Sequence, residues 1–135
     1  MKTIGYVYLL FALAIDAQTV APIVGTWEAR LHGLQAMTLE IHEDGGNLSG
    51  AAVFYRLKKD RSGWHNAGPS GSLPLIDPRW DGKTLRFSIS HGDWLAPFEL
   101  RLTSFRTVQG KRLAAHGEAE QQITLRRRQA SAAVP

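Results

Sequence analysis

The chain has 135 residues, no cysteine and a formal net charge of +4. One domain is the expectation at that length, and the absence of thiols excludes disulfides, Cys-ligated zinc and thiol redox chemistry. The basic balance favours anionic partners in general but singles out none.

Lys2 precedes an uninterrupted apolar run of twelve residues, Ile4 to Ile15, that stops at Asp16. A membrane-crossing helix needs about 20 apolar residues. A shorter core behind one cation, followed by small residues, reads as a secretory signal peptide over 1–17. Cleavage fits after Ala14, in Ala12-Leu13-Ala14, and less well after Ala17. The alternative is an uncleaved anchor or a buried N-terminal strand. No cysteine follows the run, which closes the lipoprotein route. The expected product is secreted or periplasmic, with no stable membrane insertion after cleavage. Its domain, residues 18–128, must then be held by its own core.

Beyond Ala17 no window carries apolar residues at helical spacing over three turns; period-two alternation recurs instead. The first run, Val24 to Leu31, sets Trp27, Ala29 and Leu31 against Thr26, Glu28 and Arg30. The second, Ala36 to His42, points Met37, Leu39 and Ile41 inward. Asp44-Gly45-Gly46-Asn47 supplies residues that tolerate positive φ in a tight hairpin. The third run, Leu48 to Lys58, places Val53, Tyr55 and Leu57 on the inner face and Phe54 on the outer, with a bulge at Gly50-Ala51-Ala52. Residues 59–71, rich in turn formers, read as a long loop into a short, edge-like fourth strand over Ser72 to Ile76, because Pro74 and Pro78 cannot donate to a ladder.

Asp81-Gly82 is the second hairpin signal. The fifth run, Lys83 to His91, turns Leu85, Phe87 and Ile89 inward. The sixth, Pro97 to Ser104, does the same with Phe98, Leu100 and Leu102. Lys111 to Glu118 and Gln122 to Arg128 complete eight strands, and residues 129–135 read as a disordered tail. A sheet with one apolar face and no helices to cover it closes on itself or folds over. Consecutive hairpins favour an all-β, up-and-down antiparallel eight-stranded barrel, wide enough to fill with side chains or to hold one small ligand.

Gly25-Thr26-Trp27 resembles the Gly-x-Trp of the calycin barrels, the lipocalins, fatty-acid-binding proteins and avidins. In those families the tryptophan closes one end of the barrel under an arginine from the last strand. Arg127 shares a face with Ile123 and Leu125, so the resemblance assigns barrel closure to Gly25, Trp27 and Arg127. It does not extend to particular ligands. Ala29 and Gly33 stand where avidins hold biotin with Asn and Ser, only His32 to Gln35 joins the first two strands, and no Tyr follows the final arginines. The chain looks most similar to small exported bacterial proteins of calycin-like shape.

His32, His42, His65, His91 and His116 lie on five separate segments, so no metal site and no cofactor is expected. His91 with Asp93 suggests an oriented base, but no nucleophile setting accompanies it; a turn-capping Asp suffices, and no catalysis is expected. Basic strand faces lack the aromatics of a nucleic-acid reader. Trp64, Trp80 and Trp94 lie in or beside loops where they could rim a barrel mouth. With inward Tyr55, Phe87 and Phe98, and with His91 at one rim, they form the candidate site for a small apolar or amphipathic ligand. The alternative is an envelope interaction or structural module with a packed core, anchored through an exposed Phe54.

Overall fold

A computed structural model of the protein describes residues 21–129. The segment read as a signal peptide, and residues 130–135 of the tail, lie outside the described residues. Ten strands follow one another: β1 (Gly25–Leu31), β2 (Leu34–Asp44), β3 (Asn47–Asp60), β4 (Gly63–Pro69) and β5 (Leu73–Pro74), then β6 (Ile76–Trp80), β7 (Thr84–His91), β8 (Trp94–Ser104), β9 (Thr107–Arg112) and β10 (Gln121–Arg127). There is no helix among the described residues. All pairs are antiparallel, in the order β4-β3-β2-β1-β10-β9-β8-β7-β6, and β5 also pairs β3. The sheet is therefore all-β and curled, with its first and last long strands side by side.

Alternation sets the curl. Trp27, Leu39, Ile41, Leu85, Leu100, Val108 and Leu125 are almost wholly removed from water, and each full burial of such a side chain contributes about 1.5–3 kcal/mol. The outer face is polar. Arg86 stands opposite Glu99 across β7 and β8 and donates to it at 2.9 Å, the cross-strand ion pairing expected of facing opposite charges.

The hairpin between β2 and β3 is the two-residue turn that its sequence signals. Asp44 pairs with Asn47, and Gly45 and Gly46 have φ of 61° and 89°, which only glycine adopts freely. That turn fixes a register the alternation alone does not reveal. Ile41 faces Gly50, Leu39 faces Ala52 and Met37 faces Phe54. Residues directly opposite share a face, so Phe54 points inward, against the core, and Tyr55 with Val53 and Leu57 belongs to the other face. This reverses the inward and outward assignment expected for the third run. The reason is that small residues at Gly50 and Ala52 hide the inward parity from a hydrophobicity reading.

The stretch expected as a loop, 59–71, is instead a β-ribbon. β4 pairs residues 55–60 of β3, from Asp60↔Gly63 to Tyr55↔Pro69. Its turn formers make turns inside the ribbon. The Asp60 carboxylate accepts from the Ser62 amide at 2.8 Å, and Asn66 Oδ1 accepts from the Gly68 amide at 2.7 Å. The expected fourth strand is split. Leu73 and Pro74 pair Ala52 and Ala51 of β3, the Leu75 amide donates to Gly50, and from Ile76 the chain pairs β7 instead. Pro74, without an N–H to donate, ends the part on β3, and Pro78 falls where the β6–β7 register breaks between Ile76 and Arg79. The seventh run, expected over Lys111 to Glu118, is displaced: β9 starts at Thr107 and its pairing ends at Arg112, and His116 and Gly117, both at positive φ, turn the chain through an isolated Ala115–Glu118 bridge.

Asp81 caps the β6–β7 turn. Its Oδ1 accepts from the Thr84 amide at 2.8 Å and the Lys83 amide at 2.9 Å, and these hold its carboxyl below the usual carboxylate range, Thr84 contributing most. A folded-state value below the unfolded one means the cap stabilises above about pH 4 and fades as pH falls through the folded value. Asp81→Ala is thus expected to lower urea resistance at neutral pH, with the difference from the native chain narrowing towards pH 3. A constant difference would show that the loss does not involve the charge.

Candidate functional site

The two ends of the curled sheet differ. At one end Trp27 is fully buried, and its Nε1 donates to the Ile23 carbonyl at 2.9 Å. Trp27 pairs Arg127 across β1 and β10, and the guanidinium carbon lies 4.3 Å from the indole centre. Phe105, in the β8–β9 turn, flanks the other side at 4.2 Å. Arg127 donates to three carbonyls: Phe105 at 2.8 Å, Val24 at 2.9 Å and Pro22 at 2.7 Å. Burial pushes the guanidinium down from its ordinary value, yet arginine stays charged in proteins. The cation lies against both rings while its N–H fork ties the segment before β1 to the β8–β9 turn. Gly25 completes the arrangement. It has φ of 140°, and a Cβ there would stand 2.6 Å from Arg127 Nη1. Gly25, Trp27 and Arg127 thus lie together at this end of the sheet.

Towards the opposite end the inward side chains shrink or become polar. Trp27 gives way to Ala29 on β1, Leu100 and Phe98 to Ala96 on β8, and Leu125 and Ile123 to Gln121 on β10. These substitutions open a cavity of about 640 Å³. Its walls are apolar, with Met37 and Phe54 on one side, Ile89, Ala96 and Phe98 on another, and Leu73 and Ile123 between them. Phe98 stacks on Phe87 at 5.3 Å and approaches Phe54 at 6.3 Å, which fixes the aromatic wall. Arg30, His91, Arg112 and Gln122 stand among the lining groups. Such a chamber, apolar with a few polar groups at its rim, has the size and character of small-molecule sites.

No family model, curated protein or solved structure matches the chain. The site is therefore assigned on geometry alone.

Of the residues singled out from sequence, His91 and Phe98 line the cavity and Phe87 backs Phe98. Trp94 packs on His91 at 4.8 Å and on His116 at 4.6 Å, an indole between two imidazoles beside the mouth. Trp64 lies on β4, 40% exposed, stacked on His32 at 4.1 Å. His32 follows Leu31, itself a lining residue, so Trp64 stands near the rim rather than in the wall. Trp80 lies at the other end of the sheet, opposite Leu85, and Tyr55 is on the outer face. Neither is among the cavity-lining residues. Phe54, Met37 and Arg112 are among the lining residues a sequence reading passes over. The signal that would have found Phe54 is the two-residue hairpin, which sets it opposite Met37. Among the described residues no group of three or more histidine or acidic side chains is placed to hold a metal ion.

Proposed function

We propose that the protein is an exported, non-catalytic binding barrel of calycin type that takes a small apolar or amphipathic ligand into the cavity beside Phe54 and Phe98. In this reading residues 73–80 serve as one interrupted strand, bonded to β3 by its start and to β7 by its end. Counting so, with β4 set aside as a ribbon on the overhang of β3, gives eight strands, a number that supports this reading. The single observation that carries the proposal is the chamber of about 640 Å³ facing away from the Trp27–Arg127 seal. The same pairing of indole and arginine supports the calycin likeness, and Lys2 with the apolar run behind it supports export.

The test is to fill the chamber. Ala96 is buried and lines it, so Ala96→Trp occupies the space a ligand would take. Binding of an uncharged fluorescent apolar probe is expected to weaken by tenfold or more, about 1.4 kcal/mol, while thermal stability is kept. Unchanged probe affinity in a folded Ala96→Trp protein would overturn the reading. An interaction module anchored by Phe54 has less support, because Phe54 packs against the core.

A further inference from the structure

Arg112 is an inner-face cation. It stands opposite Phe98 on β8 and Gln121 on β10, and Phe98 is buried, so all three side chains share the inward face. Its side chain is only 22% exposed and lines the cavity. No aspartate or glutamate lines that cavity, whereas Arg30 and Arg112 both do. Arg112's one ion pair among the described residues is with Glu118, Nη1 to Oε1 at 2.8 Å. Glu118 is not in the wall. It belongs to the irregular segment after β9, and its side chain is 45% exposed. That segment is held independently of the ion pair, by the Leu113 amide on the Pro97 carbonyl at 2.9 Å and by the His116–Trp94 stack.

An inward arginine at the mouth of an apolar chamber needs an anion beside it, since a buried unpaired charge is costly. Glu118 meets that need from the solvent side, and a pair with a half-exposed carboxylate is weak enough to exchange. Arg30 adds a second cation at the rim, with its Nη1 on the Gly33 carbonyl at 3.1 Å. We propose that Arg112 receives the anionic head of a single-chain amphiphile whose tail fills the cavity, and that this head takes the place of the Glu118 carboxylate. The proposal rests on the cavity being a ligand site, and it adds the sign of the ligand's charge and the group that reads it. A carboxylate, sulfate or phosphate head serves equally, because each offers two oxygens to the planar guanidinium.

Titration calorimetry of the full chain with decanoate, decyl sulfate, decanol and decyltrimethylammonium, each below its micelle threshold, separates the two claims. The anions are expected to bind about tenfold tighter than decanol, and the ammonium weakest. Arg112→Gln should remove the preference for anions and leave decanol unchanged. Glu118→Gln, on the exposed segment, should tighten the anions several-fold and again leave decanol unchanged. A purely structural ion pair would move all ligands together in both variants. Equal binding of the four amphiphiles, or no gain in Glu118→Gln, overturns the role of Arg112 while the cavity reading stands. Binding of none of them overturns both.

Discussion

Replacing Trp27 by alanine is expected to cost about 3–5 kcal/mol, the range for deleting a buried large aromatic. The side chain is entirely buried, lies opposite both Leu39 and Arg127, and satisfies its own N–H on Ile23. Its removal leaves a void where the first and last strands meet, and the Arg127 guanidinium loses one of its two ring faces. Small domains have only about 5–15 kcal/mol in total, so the variant should unfold at far lower urea with a near-native slope. Trp27→Phe keeps the ring face but loses the bond to Ile23, and is expected to lose less than half as much. A change under about 1 kcal/mol in Trp27→Ala would mean that this end of the sheet is not sealed by packing.

The second large effect is expected at Arg127. Arg127→Gln removes three bonds to carbonyls, Pro22 and Val24 before β1 and Phe105 in the β8–β9 turn, and the contacts with both rings. Hydrogen bonds from charged donors contribute about 1.5–3 kcal/mol where well placed, and a cation–π contact about 0.5–2. Because the bonds to Pro22 and Phe105 lie in exposed surroundings, the sum is discounted to a loss of about 2–4 kcal/mol by equilibrium unfolding. Arg127→Lys should recover less than half, since a point ammonium cannot span three carbonyls and stack flat on two rings. In a double-mutant cycle Trp27→Ala and Arg127→Gln should be coupled, the pair costing less than the two separate losses combined. Strict additivity would show that the two residues stabilise the end independently.

Much of the fold was legible in the sequence where hydrophobic alternation is strong. Leu85, Phe87 and Ile89 announce their inward face, as do Met37, Leu39 and Ile41, because each polar neighbour between them has no other reason to alternate. Asp44-Gly45-Gly46-Asn47 and Asp81-Gly82 marked turns through backbone chemistry, and both turns are there. Parity puts Arg127 on the face of Ile123 and Leu125, whereas its meeting with Gly25 and Trp27 was an expectation from the resemblance and not from spacing. Legibility failed where small residues replaced large ones. Gly50 and Ala52 face the core with almost no side chain, so Val53, Tyr55 and Leu57 looked like the buried row, and Phe54 was assigned to solvent. The turn formers of the 59–71 stretch concealed a ribbon, since Asp60, Asn66 and Gly68 shape tight local turns within paired strands.

The candidate site was half visible for a related reason. A cavity is made by what is missing, and alanines at 29 and 96 signal no function by themselves. Only the register shows that Ala29, Ala96 and Gln121 stand at one end and Trp27, Leu100 and Leu125 towards the other. Arg112 was hidden by the opposite effect. In Lys111-Arg112-Leu113 a charged residue is naturally read as outward, and its inward direction follows only from its partner Phe98. A tryptophan beside a turn signal does not show which end of the sheet it occupies, and Trp80, opposite Leu85, lies at the far end.

The most direct test of the central claim, a ligand chamber opposite a sealed end, is a methyl NMR titration of the full chain with decanol, whose neutrality makes the result independent of Arg112. The methyl groups of Ala29, Met37, Ala96 and Ile123 are predicted to shift together and saturate at one equivalent, while those of Leu39 and Leu125 beside Trp27 stay in place. Shifts scattered over the outer face, or no saturable shift at the four wall methyls, would contradict it.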